Sequence, residues 1–333
     1  MKLAIVLALV FVLASCTNGE GPSRLYVGGA GGLVFSFEDG APPNVIQDAG
    51  QTPMSMILRV ENTGEYDVPD ATFTLSGISA NDFDGFSTGP FYLRKQHGGA
   101  LEGKALIQDQ VVEGSTAFLE LGEASYERSL AGSSLDFTVH AKACYPYATS
   151  ATATVCLASD YYSPRISCDP NTASISSSAG PITISNIETS PAGSDRLRVS
   201  FDVAKTGTHQ IWAPYQGQSC PNERQKLIQE GDRVYVRIDG SGNTISCTGL
   251  PSNQDWSAQH VLDVTQQYRS SLDEINADDE GYVRLSGGRA RVQCTLTTPA
   301  GTDARGSIDI VAAYYVEDSI SKHFTVERSG VSN

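Results

Sequence analysis

The chain has 333 residues and a formal net charge of −15, with 38 acidic and 23 basic residues. A chain this acidic repels nucleic acid and anionic lipid headgroups, so we expect neither of them as a partner. Its length is that of two domains of ordinary size once a predicted leader is removed.

Residues 1–15 are predicted to form a secretory signal. Lys2 precedes an apolar run that is shorter than the roughly 20 residues needed to span a bilayer. The run ends in Leu-Ala-Ser-Cys16, which resembles the lipobox of prokaryotic lipoproteins. That resemblance implies cleavage before Cys16 and a lipid on its thiol, and hence a cell-surface protein anchored to the outer face of the cytoplasmic membrane. The alternative is a plain secretory signal followed by a chance cysteine.

Alternation of apolar and polar residues predicts a mainly β protein. Residues 54–60, apart from Ile57, and residues 197–203 alternate with period two, and each run is soon followed by Thr-Gly. Matched features in the same order favour a tandem repeat of one β-sandwich type. We therefore predict a lipidated tether at 16–28 and two Ig-like β-sandwiches, at 29–168 and 169–333.

The six cysteines after Cys16 predict three disulfides in an oxidising compartment. We interpret residues 135–158 as a hairpin with a short turn at Ser150. Such a turn would bring Cys144 opposite Cys156, at a cross-strand separation that a disulfide can bridge.

The remaining four cysteines belong to the second predicted domain or its boundary. Cys247 and Cys294 both share a parity with apolar residues of their predicted strands, which favours a core disulfide between them. Cys168 and Cys220 are then paired by elimination.

Two segments of the second domain are predicted to be helices inserted into the sandwich. Apolar residues recur at spacings of three and four between Trp256 and Ile275, as in an amphipathic helix. A shorter helix is predicted from Pro221 to Gln229, with Gly231 after it.

Six segments of the chain carry a resemblance to known proteins. They are Gly32-Leu-Val-Phe-Ser-Phe37, Ala41-Pro-Pro-Asn-Val-Ile46, Asn62-Thr-Gly-Glu-Tyr-Asp-Val68, Gly281-Tyr-Val-Arg-Leu285, Arg291-Val-Gln-Cys294 and Tyr314-Tyr-Val-Glu-Asp-Ser-Ile-Ser-Lys322. These segments resemble a set of surface proteins from archaea with small genomes, and the two domains resemble the Ig-like modules used for adhesion on archaeal and bacterial surfaces. The resemblance spans most of the predicted mature chain and implies an extracellular β-sandwich protein. No activity is known for that set, so it implies no site residues.

The sequence contains no metalloprotease, Walker or nucleophile-elbow motif, so we expect a non-catalytic protein without a cofactor. The Gly28-Gly-Ala-Gly-Gly run precedes a strand rather than opening a helix, which favours a flexible hinge over a dinucleotide loop. Asp82 and Asp84 lie two residues apart before Gly85, a spacing that calcium loops use. A solvated turn is the favoured interpretation, because no Glu completes the loop.

Aromatic residues are the remaining candidates for ligand binding, because exposed rings can stack on sugars. The candidates are Tyr145, Tyr147, Tyr161, Tyr162 and Trp212. The favoured interpretation is that these rings are partly buried anchors of the sandwich, and a sugar site is the alternative.

Together, these patterns predict a cell-surface lipoprotein that acts as an adhesive, binding or envelope-structural module. Its expected partner is another surface protein or an envelope component. One alternative is a glycan-binding module that uses the aromatics above. The other is a subunit of a surface assembly formed by strand addition, since the edge of a sandwich can accept a strand.

Overall fold

A computed structural model describes residues 26–213, 220, 231–250 and 279–330. Within these ranges the chain forms nineteen strands and one short helix. The helix α1 is Leu93–His97, and strands β1–β9 are Leu33–Phe37, Val45–Gln47, Met54–Asn62, Thr72–Ser76, Phe83–Asp84, Phe91–Tyr92, Ala105–Ile107, Gln110–Val112 and Thr116–Tyr126. Strands β10–β19 are Ser134–Ala158, Ser174–Ser177, Ile182–Pro191, Arg196–Lys205, Gln210–Trp212, Arg233–Asp239, Thr244–Thr248, Asp279–Arg284, Arg289–Thr297 and Asp303–Glu327.

The predicted mainly β fold is confirmed, since the described residues form several antiparallel sheets. The alternating strands predicted at 54–60 and 197–203 lie within β3 and β13. The two helices predicted at 221–229 and 256–275 lie outside the described residues.

Two strands of 25 residues each, β10 and β19, run antiparallel and pair at every position from Ser134↔Glu327 to Ala158↔Asp303. The predicted hairpin at 135–158 is therefore wrong, because the chain continues straight through Ser150. The inward residues of β10 keep the same parity before and after Ser150, as one continuous strand requires.

A proline is tolerated inside β10 because of where the partners of β10 begin and end. β4 pairs with residues 140–144 and β11 with 151–154, so Pro146 falls between them. The Ser150 carbonyl accepts the Ser178 N–H on the β11 edge, and residues an even number apart in a strand face the same edge. The missing N–H of Pro146 therefore removes no hydrogen bond from the β10–β19 ladder.

A nine-stranded sheet contains both long strands, in the order β17-β15-β19-β10-β4-β6 with β2, β11 and β14 at its sides. Two four-stranded sheets complete the sandwiches. One has the order β1-β3-β9-β5 and the other β12-β13-β18-β16, while β7 and β8 form a separate hairpin. The inward residues of the three larger sheets form one continuous core.

Aromatic rings join the facing sheets in the N-terminal half. Phe35 of β1 contacts Phe73 of β4 edge to face at 5.5 Å. Phe83 of β5 contacts Phe137 of β10 at 5.0 Å, and Phe137 stacks on Phe324 of β19 at 5.8 Å. The last part of β19 therefore belongs to the core of the N-terminal half.

The structure contains three disulfides, and one of the predicted pairings is present. Cys247 of β16 and Cys294 of β18 are directly opposite and bonded, with Cys294 buried in the core, which confirms that prediction.

The other two predicted pairings, Cys144–Cys156 and Cys168–Cys220, are wrong. Cys144 is bonded to Cys220, and Cys156 is bonded to Cys168. The physical reason is the continuity of β10, which holds Cys144 and Cys156 twelve residues apart on one strand, at about 3.3 Å per residue.

The predicted glycine hinge is packed between the two halves of the molecule. A Cβ at Gly31 would lie 2.7 Å from both the Thr63 carbonyl oxygen and the Gly64 Cα atom. The Val27 and Gly28 N–H groups donate to the Glu65 carboxylate, which also accepts the Ala179 N–H at 2.5 Å. One carboxylate therefore links the start of the described chain to the segment between β11 and β12.

Candidate functional site

The predicted aromatic cluster does not form an exposed surface. Tyr145 and Tyr147 are fully buried in the middle of β10. The Tyr145 hydroxyl accepts the Leu33 N–H, and the Tyr147 hydroxyl donates to the Ala179 carbonyl while it accepts the Tyr66 N–H. Burial raises the pKa of both hydroxyls, so they stay protonated and bind the backbone where the two halves meet.

Tyr161 and Trp212 are buried anchors as well. The Tyr161 hydroxyl lies 3.1 Å from the Cys156 carbonyl oxygen and 3.2 Å from Thr298 Oγ1. Trp212 packs with Tyr315 against the Cys144–Cys220 disulfide. Of the five aromatic candidates only Tyr162 is exposed, at 70%, so these residues do not form the predicted sugar-stacking platform.

The two carboxylates considered for calcium are not brought together. Asp82 pairs with the Arg128 guanidinium at 2.6 Å, whereas Asp84 lies in β5, which pairs with β9. Among the described residues no three His, Cys, Asp or Glu side chains are grouped as metal ligands. Cys16, the predicted lipidation site, lies outside the described residues.

A polar depression lies on the outer face of the sheet β12-β13-β18-β16. It has a volume of about 480 Å³. We call it the Arg198 groove, and it is lined by Glu188, Thr189, Ser190, Arg198, Ser200, Arg291 and Gln293.

Strand alternation places all of these side chains except that of Thr189 on one face, whereas Thr189 lies opposite the buried Val199 and is itself buried. In β13, Leu197, Val199 and Phe201 are buried, so Arg198 and Ser200 point outward. In β18 the same alternation turns Arg291 and Gln293 outward.

An irregularity in β12 shapes the edge of the groove. The register between β12 and β13 shifts between Ser185 and Glu188, and Asn186 has a left-handed backbone with φ 53°. Beyond this bulge Glu188 lies opposite Ser200 and Ser190 lies opposite Arg198. The bulge therefore brings both side chains onto the outer face.

Arg291 is held in place by surrounding acceptors. Its Nη2 donates to Glu188 Oε2 and to Ser200 Oγ, the latter at 2.8 Å. Its Nη1 lies 3.8 Å from the nearly buried Asp202 carboxylate, which also accepts the Asn186 side-chain amide at 2.9 Å. This network fixes the Arg291 guanidinium and neutralises its charge.

The Arg198 side chain differs from that of Arg291 in its exposure and in its partners. It is exposed between Ser190 and Thr295 on the neighbouring strands, and within the described ranges its guanidinium has no carboxylate partner. A guanidinium has five N–H donors in a fixed plane that matches a carboxylate. The groove therefore offers a cation beside hydroxyl and amide groups, which suits an anionic ligand rich in hydroxyls.

Sequence reasoning missed this groove, although a partial signal was present. Arg196, Arg198, Ser200 and Asp202 alternate with apolar residues, so their place on an outward face could be predicted. Their neighbours could not, because Gln293 lies beside Ser200 only through a strand pair that joins residues about ninety positions apart.

No helix among the described residues is both long and apolar enough to cross a membrane. No protein-family model matches the chain, and no curated protein matches it.

The solved structures that are distantly similar to the chain include the following two. One is the envelope protein VP37 of White Spot Syndrome Virus, at 8% identity and a TM-score of 0.20, covering 52% of this chain and 98% of that protein. The other is red sea bream transglutaminase, at 9% identity and a TM-score of 0.15, covering 89% of this chain and 31% of the enzyme. Structures with TM-scores this low are too different from the chain to support a statement about its function.

Proposed function

We propose that the protein is a non-catalytic binding module of the cell surface, held to the cytoplasmic membrane by a lipid on Cys16, and that its Arg198 groove binds an acidic saccharide of the envelope. The binding site is argued from the Arg198 guanidinium, which is exposed in a groove lined by Ser, Thr, Gln, Glu and Arg side chains. The one glutamate of the groove, Glu188, pairs with Arg291, and Arg198 has no carboxylate partner among the described residues.

The surface location is supported by the cysteines and the leader. Three disulfides are characteristic of proteins in oxidising compartments. The short apolar run that ends in Leu-Ala-Ser-Cys16 directs the chain there and supplies the attachment site for lipid.

The chain as a whole is acidic, but the groove itself holds two arginines and one glutamate, so an acidic saccharide fits it better than a neutral one. The lining residues offer hydroxyl and amide groups for sugar hydroxyls, and Arg198 can form charge-assisted hydrogen bonds with a uronate carboxylate. The groove has no aromatic lining residue, so stacking on the apolar face of a sugar does not contribute. Recognition therefore depends on charge, and we expect the affinity to fall as salt concentration rises.

The test compares binding of the full chain to a uronate-containing polysaccharide and to a neutral one of similar length. We expect wild-type protein to bind the acidic polymer, and Arg198→Gln to weaken binding by roughly tenfold or more, as for loss of a hydrogen bond to a charged group. The control is Arg305→Gln, because Arg305 is also exposed and lies outside the groove in β19. Equal loss in both variants, or no preference for the acidic polymer, would contradict the groove assignment.

The anchor is tested separately in cells grown with a labelled fatty acid. We expect the wild-type protein to carry the label and to partition into detergent, because lipid chains hold a protein at a bilayer. Cys16→Ser should carry no label and partition into the aqueous phase. A Cys16→Ser protein that remains equally membrane-bound would overturn the lipid anchor.

A further inference from the structure

A small β-hairpin next to the start of the described chain presents an unusual apolar surface. β7 and β8 pair only with each other among the described strands. Ile107 is 55% exposed, and Val111 and Val112 are each 48% exposed. Ile107 and Val112 lie on one face of this ribbon and Val111 lies on the other, so the eight-residue hairpin exposes apolar side chains on both faces. Single exposed aliphatic residues are ordinary, but three on one short hairpin indicate a ribbon that is immersed in something apolar.

The tip of the hairpin is a tight turn. Gln108 and Asp109 both have left-handed backbones, with φ 50° and 62°, as a two-residue type I′ turn requires. An ion pair between Lys104 and Glu113, 2.9 Å apart, closes the base. The hairpin therefore has a defined conformation, and its base carries no net charge.

The base of the hairpin lies where the predicted tether joins the folded chain. The Lys104 N–H donates to the Gly64 carbonyl at 2.6 Å, one residue before β7 begins. The adjacent residue, Glu65, accepts the N–H groups of Val27 and Gly28. The tether and the apolar hairpin thus leave the folded chain from neighbouring points.

The length of the tether limits how far these points can be from the membrane. Nine residues separate Cys16 from Tyr26, so a lipid on Cys16 holds Tyr26, and with it the adjoining Glu65 segment, within about 35 Å of the bilayer even when the chain is fully extended. This short connection gives the hairpin a high effective concentration at the lipid surface.

We propose that both faces of the β7–β8 hairpin enter the lipid surface, with Ile107 and Val112 on one face and Val111 on the other, so that the hairpin acts as a second membrane contact beside the lipid anchor. This inference rests on the lipid at Cys16 that the proposed function includes. Because the whole chain is acidic, its attraction to the bilayer must come from apolar contact. Asp109 at the tip limits the depth to the headgroup region, since a carboxylate does not enter hydrocarbon unpaired.

The test uses the full lipidated chain in phosphatidylcholine vesicles whose acyl chains carry bromine, which quenches tryptophan at short range. A reporter is placed at the hairpin with Val111→Trp, and a second with Ile107→Trp. The matched control is Val45→Trp, an exposed valine in β2. Val45 is far from the hairpin. It pairs with the end of β19, roughly 40 Å along that strand from Tyr314. Tyr314 lies opposite Tyr147, whose hydroxyl accepts the Tyr66 N–H near the hairpin base.

We expect the emission added by Val111→Trp and by Ile107→Trp to fall by roughly half in brominated vesicles, as for residues at the acyl boundary. The emission added by Val45→Trp should not change. Equal quenching at the three positions, or none at the hairpin, would overturn the membrane contact. A concentration-dependent blue shift of the hairpin reporters without vesicles would assign the surface to a second copy of the chain instead.

The outcome also separates this inference from the proposed function. If the wild-type protein does not sediment with vesicles, the lipid anchor fails and the hairpin contact fails with it. If it sediments but the hairpin reporters are not quenched, only the hairpin contact is wrong.

Discussion

Gly64 lies directly against the hydroxyl of Tyr147, so closely that a Cβ at residue 64 would be 1.8 Å from Tyr147 Oη. The same hydroxyl donates to the Ala179 carbonyl at 3.0 Å and accepts the Tyr66 N–H. One tyrosine on a shared strand thus binds backbone from the N-terminal half and from the segment before β12. The contact requires glycine at position 64, because any side chain would displace the ring.

We expect Gly64→Ala to lower the free energy of unfolding by about 1–3 kcal/mol, the usual cost of inserting a methyl group into a packed site. Urea denaturation measures it. Gly99→Ala is the control, because a Cβ there has no neighbour within 4 Å. In the double variant with Tyr147→Phe the loss should be smaller than the sum of the single losses, since the clashing oxygen is gone. Strict additivity would contradict the contact.

The Glu65 carboxylate accepts three backbone N–H groups, and its replacement should loosen the start of the folded chain. We expect Glu65→Gln to cost about 1–3 kcal/mol, because a neutral amide replaces a charged acceptor of Val27, Gly28 and Ala179. Amide hydrogen exchange at residues 27 and 28 should accelerate. Glu61→Gln is the control, since Glu61 makes only a surface pair with Arg59. Unchanged exchange in Glu65→Gln would show that the carboxylate does not hold this segment.

The two disulfides of β10 should differ in their effect on stability. The Cys144–Cys220 bond closes a loop with a sequence separation of 76, whereas the Cys156–Cys168 separation is 12. Loop-closure entropy alone corresponds to about 4.5 kcal/mol for the first and about 3 kcal/mol for the second. Replacing both cysteines of each pair by serine should therefore lower the melting temperature more for Cys144 and Cys220. Non-reducing peptide mapping that joined Cys144 to Cys156 would contradict the assignment.

Asp48 should contribute a pH-dependent part of the stability. Hydrogen bonds from the Ser329 hydroxyl, and from the N–H groups of Leu130 and Ser329, hold the pKa of this buried carboxyl below its usual range. A carboxyl whose pKa is lowered by folding stabilises the protein fully above the unfolded-state pKa of about 3.9. That contribution is lost as the pH falls toward the lowered value in the folded state.

Asp48→Asn tests this, because the amide cannot titrate. Melting temperatures measured from neutral to acid pH should fall less steeply for Asp48→Asn than for the wild type, and the variant should be less stable at neutral pH. Asp84→Asn, the same substitution at an exposed position in β5, is the matched control. Identical slopes for Asp48→Asn and the wild type would rule out this role for Asp48.

Local pattern predicted much of the β structure and little of the site. The alternation of Leu197, Val199 and Phe201 is sufficient to predict β13 and its outward Arg198, because burial of one face depends on residues two apart. The groove around Arg198 also needs the β12 bulge and the pairing of β13 with β18, which no short segment specifies. The burial of the aromatic candidates could not be predicted from local pattern either. Tyr145 and Trp212 are buried by strands that lie far away in the chain.

The sequence by itself determined that the chain is mainly β, which residues of each strand face inward, and that Cys247 and Cys294 are placed to bond. Those properties follow from period-two alternation, which is local. Only the tertiary structure decided that residues 134–158 continue as one strand, because that depends on β19, whose 25 residues pair with β10 from more than 140 positions away. The partners of Cys144 and Cys156, and the burial of the tyrosines between the halves, follow from that single long pairing.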